Sequence, residues 1–211
     1  MLKKIGIGLL ALVIVFVVIV LMQPAQFTIE RSETIAAPRY VTFNIVNNFR
    51  RWAEWSPWEK LDPGMQKKHS GAEVGVGSVY EWSGNDQVGA GKMTIVDSLP
   101  EKAVAIRLEF LKPFEATNNT RFTFQPEGET SKVTWSMQGT NGFMGKAASL
   151  FMDMDKMVGK DFETGLLSLK KLAEREAKEI AKAKKAEQLA VDAAQQRKAE
   201  PESAADPAPA P

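Results

Sequence analysis

Between Lys4 and Gln23 the chain reads IGIGLLALVIVFVVIVLM, so that Ile5 to Met22 carry no charge and no hydrogen-bonding side chain. At about 1.5 Å per helical residue this run spans nearly all of a hydrocarbon core of roughly 30 Å, with Leu2 and the lysine stems adding the rest. Its Val and Ile are only moderate helix formers in water. In lipid the backbone has to satisfy its own hydrogen bonds, and the segment becomes a helix. A cleavable signal peptide has a shorter apolar core, about 7–15 residues, ending in a small-x-small site. The best site here follows Ala25, with Gln23 and Pro24 ahead of it. The sequence therefore predicts an uncleaved transmembrane anchor over residues 1–25. Lys3 and Lys4 flank its start, whereas the next cations are Arg31 and Arg39. The positive-inside bias puts the N-terminus in the cytoplasm and the remainder outside, which in a Gram-negative cell is the periplasm.

Behind the anchor the composition changes twice. Residues 26–175 mix alternating apolar positions, turns and aromatics, enough chain for one ordinary domain with a full core. Residues 176–199 are Ala, Lys, Glu and Gln, a charge-laced helical extension with too few large apolars for a heptad seam. Residues 200–211 read PESAADPAPAP after Glu200 and predict a disordered tail. The formal charge is +1, so no global field recruits nucleic acid. There is no cysteine, which removes disulfides, thiol nucleophiles and thiolate metal sites.

Within the domain, FTIERSETI alternates with period 2, Phe27, Ile29 and Arg31 on one side. Ala37-Pro38 starts a short helix, since proline suits a first turn. RRWAEWSPWEKLDPG closes it at Ser56-Pro57 and Asp62-Pro63-Gly64. Five more strands follow, in SVYEWSG, GKMTIVD, AVAIRLEF, TRFTFQ and KVTWSMQ, and a weaker one in MQKKHSG precedes them. Extending the phase of TRFTFQ backwards brings Thr120 and Asn118 onto the side of Phe122 and Phe124. One-sided alternation describes an antiparallel sheet with one dry face. From about Lys146, Leu150, Met154, Met157, Val158, Phe162, Leu166, Leu169 and Leu172 recur at helical spacing, predicting one long helix across that face. The fold class is α+β.

The succession IAAPRYVTFNIVNNFRRWAEWSPWEK, GVGSVYEWSGN, VGAGKMTIVDSLPEKAVAIRLEFLKPFEATNNTRFTF, VTWSMQG and MDKMVGKDFETGLLSLKKLAE resembles the SRPBCC or START-like superfamily, in particular its polyketide cyclase/dehydrase-like members. The resemblance implies a helix-grip fold, in which a curved antiparallel sheet wraps a long C-terminal helix and encloses a pocket for an apolar ligand. It transfers no reaction, because the fold hosts carriers, receptors and enzymes alike.

The dry face offers Tyr80, Trp82, Met93, Ile106, Leu108, Phe122, Phe124, Trp135 and Met137, and the helix adds Met154 and Phe162. These residues serve equally as plain core or as pocket lining; the resemblance favours a pocket, with Tyr80, Asn118 and Thr120 orienting its occupant. Trp52, Trp55 and Trp58 read first as a plug at a Pro-containing corner, and second as a lip on the cavity. Catalytic and cofactor chemistry is thin. The lone His69 sits on an edge strand or loop with a solvated role, and Asp153 and Asp155 suit the positive end of a helix dipole. The stretch from Gly89 to Thr94 lacks the spacing of a phosphate loop. Asn118-Asn119-Thr120 matches a glycosylation sequon on a strand. No metal or cofactor is expected. Three functions remain open: a tethered binder of an apolar small molecule or lipid, a cyclase- or dehydratase-type enzyme, and a tethered interaction module using the charged extension.

Overall fold

A computed structural model describes residues 2–199. Helix α1 (Leu2–Met22) leads directly to β1 (Gln26–Ile35), α2 (Arg39–Val46) and two 3-10 turns, Phe49–Glu54 and Pro57–Lys60. There follow β2 (Gln66–Gly71), β3 (Ser78–Ser83), β4 (Ala90–Leu99), β5 (Ala103–Lys112), β6 (Ala116–Glu127) and β7 (Thr130–Thr140), then α3 (Phe143–Ser149) and α4 (Met154–Ala199). The chain divides after Glu174 into two units. The second, from Arg175, is helical as far as Ala199, with Leu189 and Val191 exposed. The tail from residue 200 onward lies outside the described residues.

The strands form one antiparallel sheet in the order β1-β7-β6-β5-β4-β3-β2. Strands β2 to β7 are a meander, and β1 closes the far edge by pairing with β7. Period-2 burial runs through each inner strand, and β7 buries Ser131, Val133, Trp135 and Met137 while Lys132, Thr134 and Ser136 lie on the other side. A register shift between Ile95 and Asp97 pushes Val96 out of the ladder, a bulge of the kind that bends a sheet. The hairpin at Glu127-Gly128-Glu129 takes its tight turn through Gly128, at φ +63.

Helix α4 grips this curve through Phe162, Leu166, Leu169 and Leu172, all buried. Each such side chain contributes about 1.5–3 kcal/mol of burial. Phe162 stacks on Trp135 with centroids 4.1 Å apart and planes 6° from parallel. At the edge, Arg31 of β1 reaches Asp155 (3.0 Å) and Glu163 (2.8 Å). The guanidinium lies across Gly159, where an added Cβ would come within 2.0 Å of it.

The single helix expected from Lys146 onward is two. Asp153 ends the run by capping α4: its Oδ1 accepts from the Lys156 amide at 3.0 Å, and its carbonyl from Met157. A carboxylate cap of this kind stabilises a helix start by about 1 kcal/mol. Helix α3 turns instead toward α1. Lys146 donates to the Leu21 carbonyl at 3.2 Å, satisfying one of the orphan acceptors at the end of α1, and Val20 is buried there. From Lys3 to Met22 the rest of α1 is exposed except for the half-buried Val17, and the helix is long and apolar enough to cross a membrane.

Candidate functional site

Register divides the concave face into a filled half and a hollow half. The ladder sets Ile95 opposite Ile106, and Phe122 opposite Trp135. Over this part of the sheet α2 and the first 3-10 turn supply large rings. Phe43 meets Phe124 edge-on at 5.7 Å, and Trp52 and Trp55 each meet Phe122 at 6.0 Å. The Trp52 indole donates to the Val46 carbonyl at 2.9 Å, which fixes the turn against α2. This half is close-packed.

One row further along the strands the filling stops. A cavity of about 300 Å³ lies between the sheet and α4, walled by Phe27, Tyr80, Trp82, Met93, Leu108, Phe110, Asn118, Thr120, Trp135 and Met137 from the strands. Met154, Val158, Asp161 and Phe162 come from α4, Trp52, Ser56, Trp58 and Glu59 from the 3-10 turns, and Met65, Gln87 and Val88 from loops. The wall is predominantly apolar with a few polar groups, at the lower end of the size range of small-molecule pockets.

Of the residues chosen from sequence, Tyr80, Trp82, Met93, Leu108, Asn118, Thr120, Trp135, Met137, Met154 and Phe162 stand around this cavity. Ile106, Phe122 and Phe124 do not; they belong to the filled half. They share the strand phase of the lining residues, but α2 and the tryptophans cover them. The tryptophan corner divides as well: Trp55 is pure plug, Trp52 serves both halves, and Trp58 lines the cavity.

The polar groups in the wall are unequal. The Tyr80 hydroxyl donates to Glu59 Oε1 at 2.6 Å, and Glu59 also pairs with Lys67. Burial first, and then that hydrogen bond, push the phenol well above its usual range, so its proton is committed to Glu59 and only the oxygen's acceptor capacity is left for a ligand. Thr120 Oγ1 and Trp135 Nε1 are buried without a partner. The Asn118 amide has only a long contact, 3.6 Å, to the Met137 sulfur. Burial raises the Asp161 carboxyl above the ordinary aspartate range, opposed by Lys160 and by a hydrogen bond with Trp58.

His69 is half-buried and not fully solvated. It stacks on Tyr80 at 5.0 Å with Nδ1 buried and unpartnered, and burial lowers its pKa, with Arg50 and Lys67 acting the same way and Glu59 opposing. Asp155 likewise serves Arg31 more than any helix dipole. Among the described residues no group of His, Asp and Glu is placed to hold a metal. Sequence reading missed Glu59, and it missed Asp161, which sits three residues after Val158 and seven after Met154 on the inward stripe of α4.

A curved antiparallel sheet closed on a long helix, with an apolar cavity between, defines a helix-grip ligand-binding domain. The chain belongs to the polyketide cyclase/dehydrase and lipid transport family, whose model matches residues 26–174. No curated protein matches the sequence. Among solved structures it is similar to the di-domain aromatase/cyclase StfQ of the steffimycin biosynthetic pathway (TM-score 0.55, 12% identity, 72% of this chain and 52% of that one). It is similar also to protein CV1439 from Chromobacterium violaceum (0.52, 14%, 70% and 96%) and to the Aha1 dimer from Colwellia psychrerythraea (0.51, 16%, 70% and 96%). At these identities the likeness is one of fold.

Proposed function

We propose that the protein is a membrane-tethered binder of an apolar small molecule or lipid, held by α1 with its domain on the extracytoplasmic side. The observation that carries this is the cavity of about 300 Å³ with its mainly apolar wall. Asn118 and Thr120 orient the occupant, because their polar atoms, like the Trp135 indole N–H, are left without strong partners inside the wall. Met93, Met137 and Met154 give the wall a shape that adapts to its contents. Full chain in detergent, stripped of lipid, should bind fluorescent fatty acid, phospholipid or quinone probes saturably. Leu108→Trp, which fills the cavity, should weaken that binding at least tenfold. Absence of saturable binding by every probe class would end the proposal.

A second reading has its own observation. Asp161 holds a carboxyl of raised pKa in the cavity wall, the property a general acid or base requires. A cyclase- or dehydratase-type reaction on an apolar chain would use it. In that case Asp161→Asn abolishes turnover of a poly-β-ketone mimic while leaving probe binding intact; equal loss of both counts against catalysis.

A further inference from the structure

The ladder places four features at one end of the sheet. Gln26 pairs with Thr140, Lys112 with Ala90, and Phe110 with Ala116. The start of β1, the β3–β4 turn, the β5–β6 tip and the chain between β7 and α4 therefore share the end where α1 arrives. Only Gln23 to Ala25 separate α1 from β1, a span of about 10 Å at full extension. The Asn141 amide donates to the Ala25 carbonyl at 2.6 Å and Lys146 to Leu21, so this end is pinned to α1.

That end is also the greasy one. Leu111 and Phe114 on the β5–β6 tip, and Phe143, Met144, Phe151 and Met152 on α3 and its exit, are between 45% and 80% exposed. Outside α1, every exposed Phe and Met among the described residues lies there or on the first turn of α4. The opposite end shows the aliphatic Val74, Val76, Val96 and Leu99, and no exposed Phe or Met among the described residues. The cavity faces the same way, for Gln87 and Met154 are the lining residues that are also exposed, and both belong to this end.

We infer that the β5–β6 tip and the α3 corner form a docking surface for the phospholipid bilayer that α1 crosses, with the cavity mouth opening onto it. This rests on the reading of α1 as a membrane span and of the cavity as a ligand site. Clustered exposed aromatics and methionines have no reason to persist on a domain that floats free in water, whereas an interface buries them. An occupant then passes between bilayer and cavity without crossing water.

Because the chain has no cysteine, single labels can be placed at will. Phe114→Cys, Phe151→Cys and, at the opposite end, Glu129→Cys are made in the full chain, labelled with an environment-sensitive fluorophore and reconstituted into phosphatidylcholine vesicles at low protein density. Nitroxide-bearing lipids should quench the labels at 114 and 151 several-fold more than the label at 129. Equal, water-like behaviour at all three positions overturns the inference, as does a blue shift at 114 and 151 without lipid quenching, which would assign the surface to a second copy. Probe binding measured in detergent is a separate readout. Its loss with quenching retained removes the ligand reading and leaves the docking surface.

Discussion

Thr120→Val tests whether the hollow half holds a polar anchor. Thr120 is buried at the middle of β6, and its hydroxyl has no protein partner. Valine keeps the β-branched shape that suits a strand and replaces only the hydroxyl. A buried polar group left unsatisfied costs about 1–3 kcal/mol, so the ligand-free variant should gain stability within that range. Water lodged in a cavity of this size serves the hydroxyl in part, which places the expectation in the lower half. For a chain of this length, 1 kcal/mol moves the midpoint about 2–4 °C, so a gain of roughly 2–8 °C is expected for the lipid-stripped protein in detergent. Ligands should respond in the opposite sense. A probe with a carbonyl or hydroxyl loses one hydrogen bond, about 0.5–1.5 kcal/mol, or roughly 2- to 10-fold in affinity, while a pure hydrocarbon loses nothing. Melting followed by tryptophan fluorescence, paired with titrations of one polar and one hydrocarbon probe, reads both. A variant less stable than the parent, with both probes unaffected, would show that Thr120 is ordinary core.

Three further outcomes follow from the packing. Trp55→Ala, which removes an indole in contact with Trp52, Phe122 and Trp135, should cost about 3–5 kcal/mol in chemical denaturation; a loss under about 1 kcal/mol would contradict the plug. Gly159→Ala should gain about 0.5–1 kcal/mol of helix propensity only when Arg31→Ala has cleared the guanidinium, and lose that gain in the parent; additive effects would mean that Arg31 does not lie against α4. For His69 the folded pKa lies below 6.5, so between that lowered value and 6.5 the unfolded chain binds more protons. Stability therefore rises with pH across that window and the penalty is complete below it. His69→Phe should flatten this dependence, and a slope parallel to the parent between pH 5 and 7 would refute it.

The strands from β3 to β7, and β1, were readable because one face is drier than the other, and period 2 survives any uncertainty about turns; β2, exposed along nearly its whole length, left only a weak signal. Asn118 and Thr120 were found by phase alone, since no other property of ATNNTRF marks them as inward. The boundary of the cavity was not readable. Phe122 and Thr120 differ by one step along the same strand, and what separates them is a tryptophan corner some seventy residues earlier in the chain. Local alternation carries no information about which row a distant ring will cover. Glu59 left no trace for the same reason, being drawn in by Tyr80 and Lys67 from other strands. Asp161 did leave one, its place on the stripe of Met154 and Val158. The break before α4 was legible in Asp153 as a capping residue, but the apolar spacing of Leu150, Met154 and Met157 ran through it. Met157 proves exposed, so that spacing recorded the greasy corner as if it were core.

Leaving one half of the face hollow has an energetic consequence. Scaled by the cost of cavities made by truncating core side chains, a fully enclosed dry void of 300 Å³ would cost roughly 7 kcal/mol. That is comparable to the whole stability of an ordinary domain. The opening at Gln87 and Met154 lets solvent in and lowers the figure, but a mainly apolar wall gains little from water. The tryptophan-packed half must hold the sheet while the other half is empty, and an occupant should then stabilise the whole. At a free ligand concentration one hundred times its Kd the linkage amounts to about 2.7 kcal/mol, or roughly 5–11 °C in midpoint at this chain length. Lipid-stripped and lipid-loaded protein should therefore melt apart by that interval in the same detergent. Leu108→Trp, with the space already taken, should melt at one temperature in both states. If the parent melts identically with and without lipid, the hollow half is closed by packing and not by a ligand.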